Sequence, residues 1–219
     1  SGSGWSVTAI ATGMYTNHYP SLAYGPDGQP AFAFTAQEGA EGDGQLGFAH
    51  FDGSAWSVEF VEEVGGGVPS LAFGPDGQPA VAHCVFPYGM LRYTYRDATG
   101  WRPVTVDMDA NAHYLSLAFG PDGQPAIAAC ASNSVILARS NGTEWTIETA
   151  ADGVENAVLA SLAFGPDGQP AIAYENGESR LGYTRFNGAG WENSILNTGE
   201  AILSGGVSLA FGPDGQPVI

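Results

Sequence analysis

The chain has no lysine and only six arginines, set against 23 aspartates and glutamates in 219 residues. Its formal net charge is −17. A surface of that sign repels a polyphosphate backbone, so nucleic acid is not a partner, and anionic membrane surfaces are disfavoured on the same ground. No apolar run approaches the roughly 20 residues of a membrane-spanning helix. Two cysteines, Cys84 and Cys130, are too few for a disulfide framework. They hold the same position in neighbouring repeats, which argues for parallel placement rather than a bridge. The opening SGSGW does not read as a secretory signal. Glycine is abundant at 32 residues and proline reaches 14. With 44% apolar and 13% charged residues, this is a turn-rich globular chain with a lightly charged surface.

What the chain does have is repetition. SLAFGPDGQPAIAY occupies 161–174, and near copies begin at Ser21, Ser70, Ser116 and Ser208, spaced 49, 46, 45 and 47 residues apart. A period of that size suits propeller blades of four strands. SLAFG and PAIAY are short apolar runs without a helical stripe, and the PDGQ between them is turn chemistry, so each copy predicts a β-hairpin. A third strand follows, such as RLGYTRF at 180–186, then a tight turn at 187–190 and a fourth strand, WENSIL, at 191–196. Tryptophan recurs once per repeat at 5, 56, 101, 145 and 191. With the strands named A to D from the channel outwards, the expectation is an all-β, five-bladed β-propeller forming a single domain. Its blades are about 20–62, 69–107, 115–150, 160–198, and 207–219 joined to 1–12. That fifth blade is one strand short, because nothing like LGYTRF precedes Trp5 or follows Ile219. The N-terminal strand is expected to move inward and pair with strand B in a monomer. A dimer through blade 5, or a chain that is part of a longer repeat array, is the alternative.

The pattern SLAFGPDGQPAIAY…LGYTRFNGAGW resembles the sialidase-like, Asp-box-type repeats of bacterial propeller proteins, over nearly the whole chain. The match to the Asp box is degenerate: Asp52-Gly53 and Asn187-Gly188 stand four residues before Trp and read as plain hairpin turns. Sialidases hold a carboxylate with three arginines; here only Arg92 and Arg180 lie near the start of a C strand. The period is also similar to that of tachylectin-type sugar-binding propellers, whose motifs are absent. A bacterial extracellular or cell-surface origin fits these resemblances.

The repeated turns GPDGQP and NGxxW share one face, and their aspartates read as turn chemistry. The opposite face diverges between repeats, and its histidines point to a site. His18 and His113 stand three residues before the Ser of blades 1 and 3, blade 2 carries GGG at 65–67 between them, and His83 ends strand B of blade 2. His50 falls on the other face and reads as structural. Three imidazoles with an open position suit a divalent metal, Zn more than Ca. Such a metal would polarise an ester or phosphoester and acidify its bound water. Glu175, Asp109 or Glu155 would act as general base or orient a ligand, with Cys84 and Cys130 as further donors nearby. Tyr15, Tyr19, Tyr88 and Tyr114 share the face and would stack on a sugar or line a pocket. Two readings follow: a metal-dependent hydrolase using His18, His83 and His113, and a non-catalytic carbohydrate-binding module using the same face. Either takes a small-molecule or glycan ligand.

Overall fold

Each repeat closes on the turn that its sequence demands. In the first, the Gly25 N–H donates to the Gln29 carbonyl at 2.8 Å and the Gly28 N–H to the Gly25 carbonyl at 2.9 Å. Asp27 Oδ1 accepts the Gln29 N–H at 3.0 Å. Gly28 takes a φ of 74°, which a side chain would strain. Asp76, Asp122, Asp167 and Asp214 make the same bond to the glutamine two residues on. The ring of turn aspartates is therefore turn chemistry, as its spacing suggested.

The computed structural model describes residues 7–10, 15–16, 19–37, 44–63, 67–85, 89–108, 110–177, 180–196 and 206–219, with 15, 16 and 37 described by backbone only. These residues form strands and no helix. The first sheet holds β1 (Tyr15–Thr16), β2 (Ser21–Tyr24), β3 (Pro30–Gln37), β4 (Gly44–Phe51) and β5 (Trp56–Glu62). The second holds β6 (Ser70–Phe73), β7 (Pro79–Val85), β8 (Met90–Asp97) and β9 (Gly100–Asp107). The third runs β10 (Leu115–Phe119), β11 (Pro125–Ala131), β12 (Ser134–Ser140) and β13 (Trp145–Asp152). The fourth runs β14 (Val158–Phe164), β15 (Pro170–Asn176), β16 (Arg180–Phe186) and β17 (Trp191–Leu196). A last hairpin pairs β18 (Ala210–Phe211) with β19 (Pro217–Val218). All pairings are antiparallel meanders, except that β1 adds to the far end of β3 at Ala36 and Gln37. Four four-strand meanders and a hairpin are consistent with five blades.

The innermost strands touch in succession: β2 with β6, β6 with β10, β10 with β14 and β14 with β18. The sheets thus stand side by side, and the core lies between them. Alanines at every second position of the B strands, such as Ala80 and Ala82, let neighbouring sheets approach closely. Aromatic rings lock the seams: Phe48 packs on Trp101 at 5.3 Å and Tyr93 on Trp145 at 5.3 Å, each tryptophan coming from the following sheet. Where a large ring fills the B strand, its partner is glycine. A Cβ on Gly182 would stand 2.3 Å from the ring of Tyr174.

Among the described residues no N-terminal strand pairs with β19. Residues 7–10 run without strand structure, and Ile10 packs against the cluster of Phe34, Ala36 and Ala49 in the first sheet. The remaining residues of the expected strand, 5–6 and 11–12, lie outside the described residues. Two residue pairs make β18 and β19 a short edge to extend, while the first sheet offers Ile10 apolar burial.

Candidate functional site

The position thirteen residues after each repeat Ser decides what fills the seam toward the preceding sheet. It is Phe34, His83, Ala129 and Tyr174 in successive sheets. His83 is wholly buried there, with Nε2 at 2.8 Å from Glu62 Oε2, and Glu62 Oε1 lies 2.6 Å from Arg92 Nη1. The imidazole is close to the carboxylate but not aligned on it: neither its nitrogens nor Oε2 make a hydrogen bond. Glu62 ends β5 of the first sheet, so this polar group bridges two sheets.

Neighbouring residues of a strand face opposite ways, and Cys84 accordingly faces the third sheet. Its thiol meets the His113 carbonyl at 3.5 Å. The equivalent Thr35 hydroxyl donates to the Gly67 carbonyl at 3.3 Å. The His83 imidazole and the His113 segment therefore lie on opposite faces of β7. His113 is exposed, and its N–H donates to the Cys130 carbonyl at 3.0 Å. Among the described residues no group of three or more His, Cys, Asp or Glu side chains is placed to hold a metal. His18, Asp109 and Tyr88 lie outside the described residues, and Tyr15 is described by backbone alone. Cys84 and Cys130 are free, buried thiols, pushed up to about 12 chiefly by burial, which disfavours the thiolate a metal would need. Tyr19 and Tyr114 do meet, edge to face, with ring centroids 6.3 Å apart. Tyr19 is 53% exposed and takes a φ of 70°.

A larger concavity opens elsewhere on the divergent face, between the third and fourth sheets. It measures about 630 Å³. Asp152 ends β13, and the connection to β14 supplies Val154, Glu155 and Asn156. Tyr174 and Asn176 come from β15, Arg180 from β16, and Asn193 and Ile195 from β17. Backbone bonds fix its rim. The Gly177 N–H donates to the Glu155 carbonyl at 2.9 Å, and the Arg180 N–H to Asn176 Oδ1 at 3.0 Å. Asn156 holds a φ of 52°, a conformation asparagine tolerates. Burial holds the Tyr174 phenol above its ordinary value, with Cys130 adding to the effect. Of the residues singled out in the sequence, Glu155 lines this pocket. Glu175 follows Tyr174 on β15 and is buried. Asp152, Asn156, Asn176 and Asn193 carried no motif and were missed.

No protein-family model and no curated protein matches the chain. Solved structures do. A protein of unknown function from Dyadobacter fermentans superposes with a TM-score of 0.69 at 15% identity, over 95% of this chain and 75% of that one. NanB sialidase from Streptococcus pneumoniae superposes with a TM-score of 0.67 at 12% identity, over 84% of this chain and 52% of that one. The lectin of Aleuria aurantia, solved in complex with Fucalpha1-6GlcNAc, gives 0.61 at 14% identity, over 83% of this chain and 62% of that one. The fold is a β-propeller. The chain spans about half the length of the sialidase and less than two thirds of the lectin.

Proposed function

We propose that this β-propeller is a carbohydrate-binding module whose site is the cleft between the third and fourth sheets. The observation that carries this reading is the lining of that cleft: Asp152, Glu155, Asn156, Asn176, Arg180 and Asn193 surround an opening of about 630 Å³ over Tyr174. Planar carboxylate, amide and guanidinium groups donate and accept in pairs, which matches vicinal hydroxyls. The volume lies in the range of small-ligand sites. A lectin of the same fold is known in complex with a fucosylated sugar, which is consistent with this reading on fold grounds alone. The hydrolase reading needs His18, His83 and His113 on one metal, whereas His83 is buried against Glu62, on the face of β7 away from His113.

A glycan array tests the proposal. The protein is expected to retain a defined set of glycans in chelator as well as in added Zn. Arg180→Ala and Asn193→Ala should each weaken binding about tenfold, the loss of one or two hydrogen bonds to a bound ligand. Retention of no glycan, or binding that both variants leave untouched, overturns it. Zn-dependent turnover of an activated ester without glycan binding would favour the hydrolase.

A further inference from the structure

On the face opposite that cleft, each seam between sheets carries the same three parts. They are the turn Asp of one sheet, the C-strand residue paired with the first B-strand Ala, and the strand-A Phe of the next sheet. The C-strand residue is His50, Tyr95, Arg139 and Arg185 in turn, opposite Ala31, Ala80, Ala126 and Ala171. In the last seam a guanidinium fills the slot. Arg185 Nη2 lies 2.9 Å from Asp167 Oδ2, and its Cζ sits 5.4 Å from the centre of the Phe211 ring. In the first seam an imidazole does so, with His50 Nε2 at 3.2 Å from Asp27 Oδ2.

The second seam has the acid and the ring but not the cation. Asp76 Oδ1 accepts the Gln78 N–H at 3.0 Å, and among the described residues no cationic side chain pairs with its carboxylate. Tyr95 stands where His50 and Arg185 stand, and it stacks on Tyr93 with centroids 5.7 Å apart and planes 22° from parallel. A cavity of about 230 Å³ remains, lined by Asp76, Tyr93, Tyr95 and Phe119. Arg96 at its edge is committed to Glu59 at 2.6 Å and lies over Trp101. Burial and the Asp76 carboxylate keep the Tyr93 phenol un-ionised. Of the two charged side chains that line the cleft, Arg96 is paired with Glu59 and Asp76 has no cation of its own among the described residues. A net charge of −17 adds a field that draws cations toward it.

We infer that the cleft between the second and third sheets binds a guanidinium group on an aliphatic stem, such as the arginine side chain of a peptide. Asp76 pairs with it, and Tyr95 and Phe119 offer their faces. The protein's own Arg185 is the internal precedent for the pose. A guanidinium is preferred over an ammonium because it is planar, stacks on rings and sheds water more easily.

Titration of the isotope-labelled protein with ethylguanidinium, ethylammonium and an end-blocked arginine peptide, followed by the amide signals of Gly77 and Gln78, tests this. Ethylguanidinium and the peptide should both saturate, ahead of ethylammonium. Asp76→Asn, which keeps the turn acceptor, should weaken them about tenfold. Tyr95→Arg should abolish binding by supplying the cation internally, while Asp27→Asn leaves it unchanged. Absence of saturation, equal binding of ethylammonium, or indifference to Asp76→Asn overturns the inference. Asp76→Asn carries the test should Tyr95→Arg not fold.

Discussion

The hydroxyl of Ser161 accepts the backbone N–H of Leu209 at 2.9 Å, joining the fourth sheet to the segment that leads into the last hairpin. Ser21, Ser70 and Ser116 make the same bond to Leu71, Leu117 and Leu162 of the sheet that follows each. The repeated Ser is therefore a joint between sheets, and the Leu it holds is buried: Leu117 is 6% exposed. Leu22 occupies the corresponding place in the first sheet and is 63% exposed. Among the described residues no Ser208–Leu22 bond completes the series.

Ser116→Ala is accordingly expected to lower stability by about 1 kcal/mol, the net worth of one hydrogen bond. Ser208→Ala should fall within about 0.5 kcal/mol of the parent, as surface changes do. Urea midpoints for the two variants check this. Equal losses would mean that Ser208 is bonded in solution and the ring is closed there.

The joint illustrates what the sequence makes legible. Period, hairpins and turns follow from SLAFGPDGQP, because the information is local: Asp27 reaches only to Gln29. The seams are not local. His83, on β7, sits two strands along the chain from Glu62 on β5, and which way it faces is fixed by strand alternation. The reading that gathered His83 with His113 used position along the repeat and ignored the side of the sheet. The polar cleft was missed for a related reason: Asn176 and Asn193 belong to no motif and line one cleft only because β15 and β17 lie in one sheet. Glu155, which the sequence offers as a general base or ligand-orienting acid beside the histidines, lines this cleft between the third and fourth sheets.

Two glutamates of β5 test how burial sets the worth of an ion pair. Glu62–Arg92 and Glu59–Arg96 have the same 2.6 Å separation. Glu62 and Arg92 side chains are 10% and 19% exposed, Glu59 and Arg96 39% and 41%. Glu62→Ala strands a largely buried guanidinium and should cost about 3 kcal/mol, the lower end for breaking a buried pair. Glu59→Ala should cost at most about 1 kcal/mol, since water screens that pair. Denaturant unfolding of both variants at neutral pH decides it, and equal costs would refute the burial argument.

Cys84 and Cys130 are both buried, and their thiols are pushed up to about 12. A thiol needs to be ionised and reachable to react. At about pH 8 the native protein is expected to react with no equivalents of a thiol reagent, and with two after unfolding in guanidinium chloride. Rapid reaction of the native protein would mean that the seams beside β7 and β11 open readily.

Acid should loosen the outer turns first. The Asp52 carboxyl is lowered from 3.8 to about 2 by the Ser54 hydroxyl and by the N–H groups of Ala55 and Ser54. Asp97 is lowered to about 2 by the Thr99 hydroxyl and N–H and by Arg102. Both groups titrate lower in the folded chain than in the unfolded one. Their contribution is present in full above the unfolded value of 3.8 and is lost as pH falls through 2. Asn141 and Asn187 make the equivalent turn bonds without a charge: Asn141 Oδ1 accepts the Thr143 and Glu144 N–H groups, and Asn187 Oδ1 those of Ala189 and Gly190. The double variant Asp52→Asn, Asp97→Asn should therefore fold with its turns intact and lose less stability than the parent between about pH 4 and pH 2. Urea midpoints measured across that window check the sign. A double variant that falls as steeply as the parent would place the acid sensitivity elsewhere, and the turn aspartates that pair with His50 and Arg185 would be the next to replace.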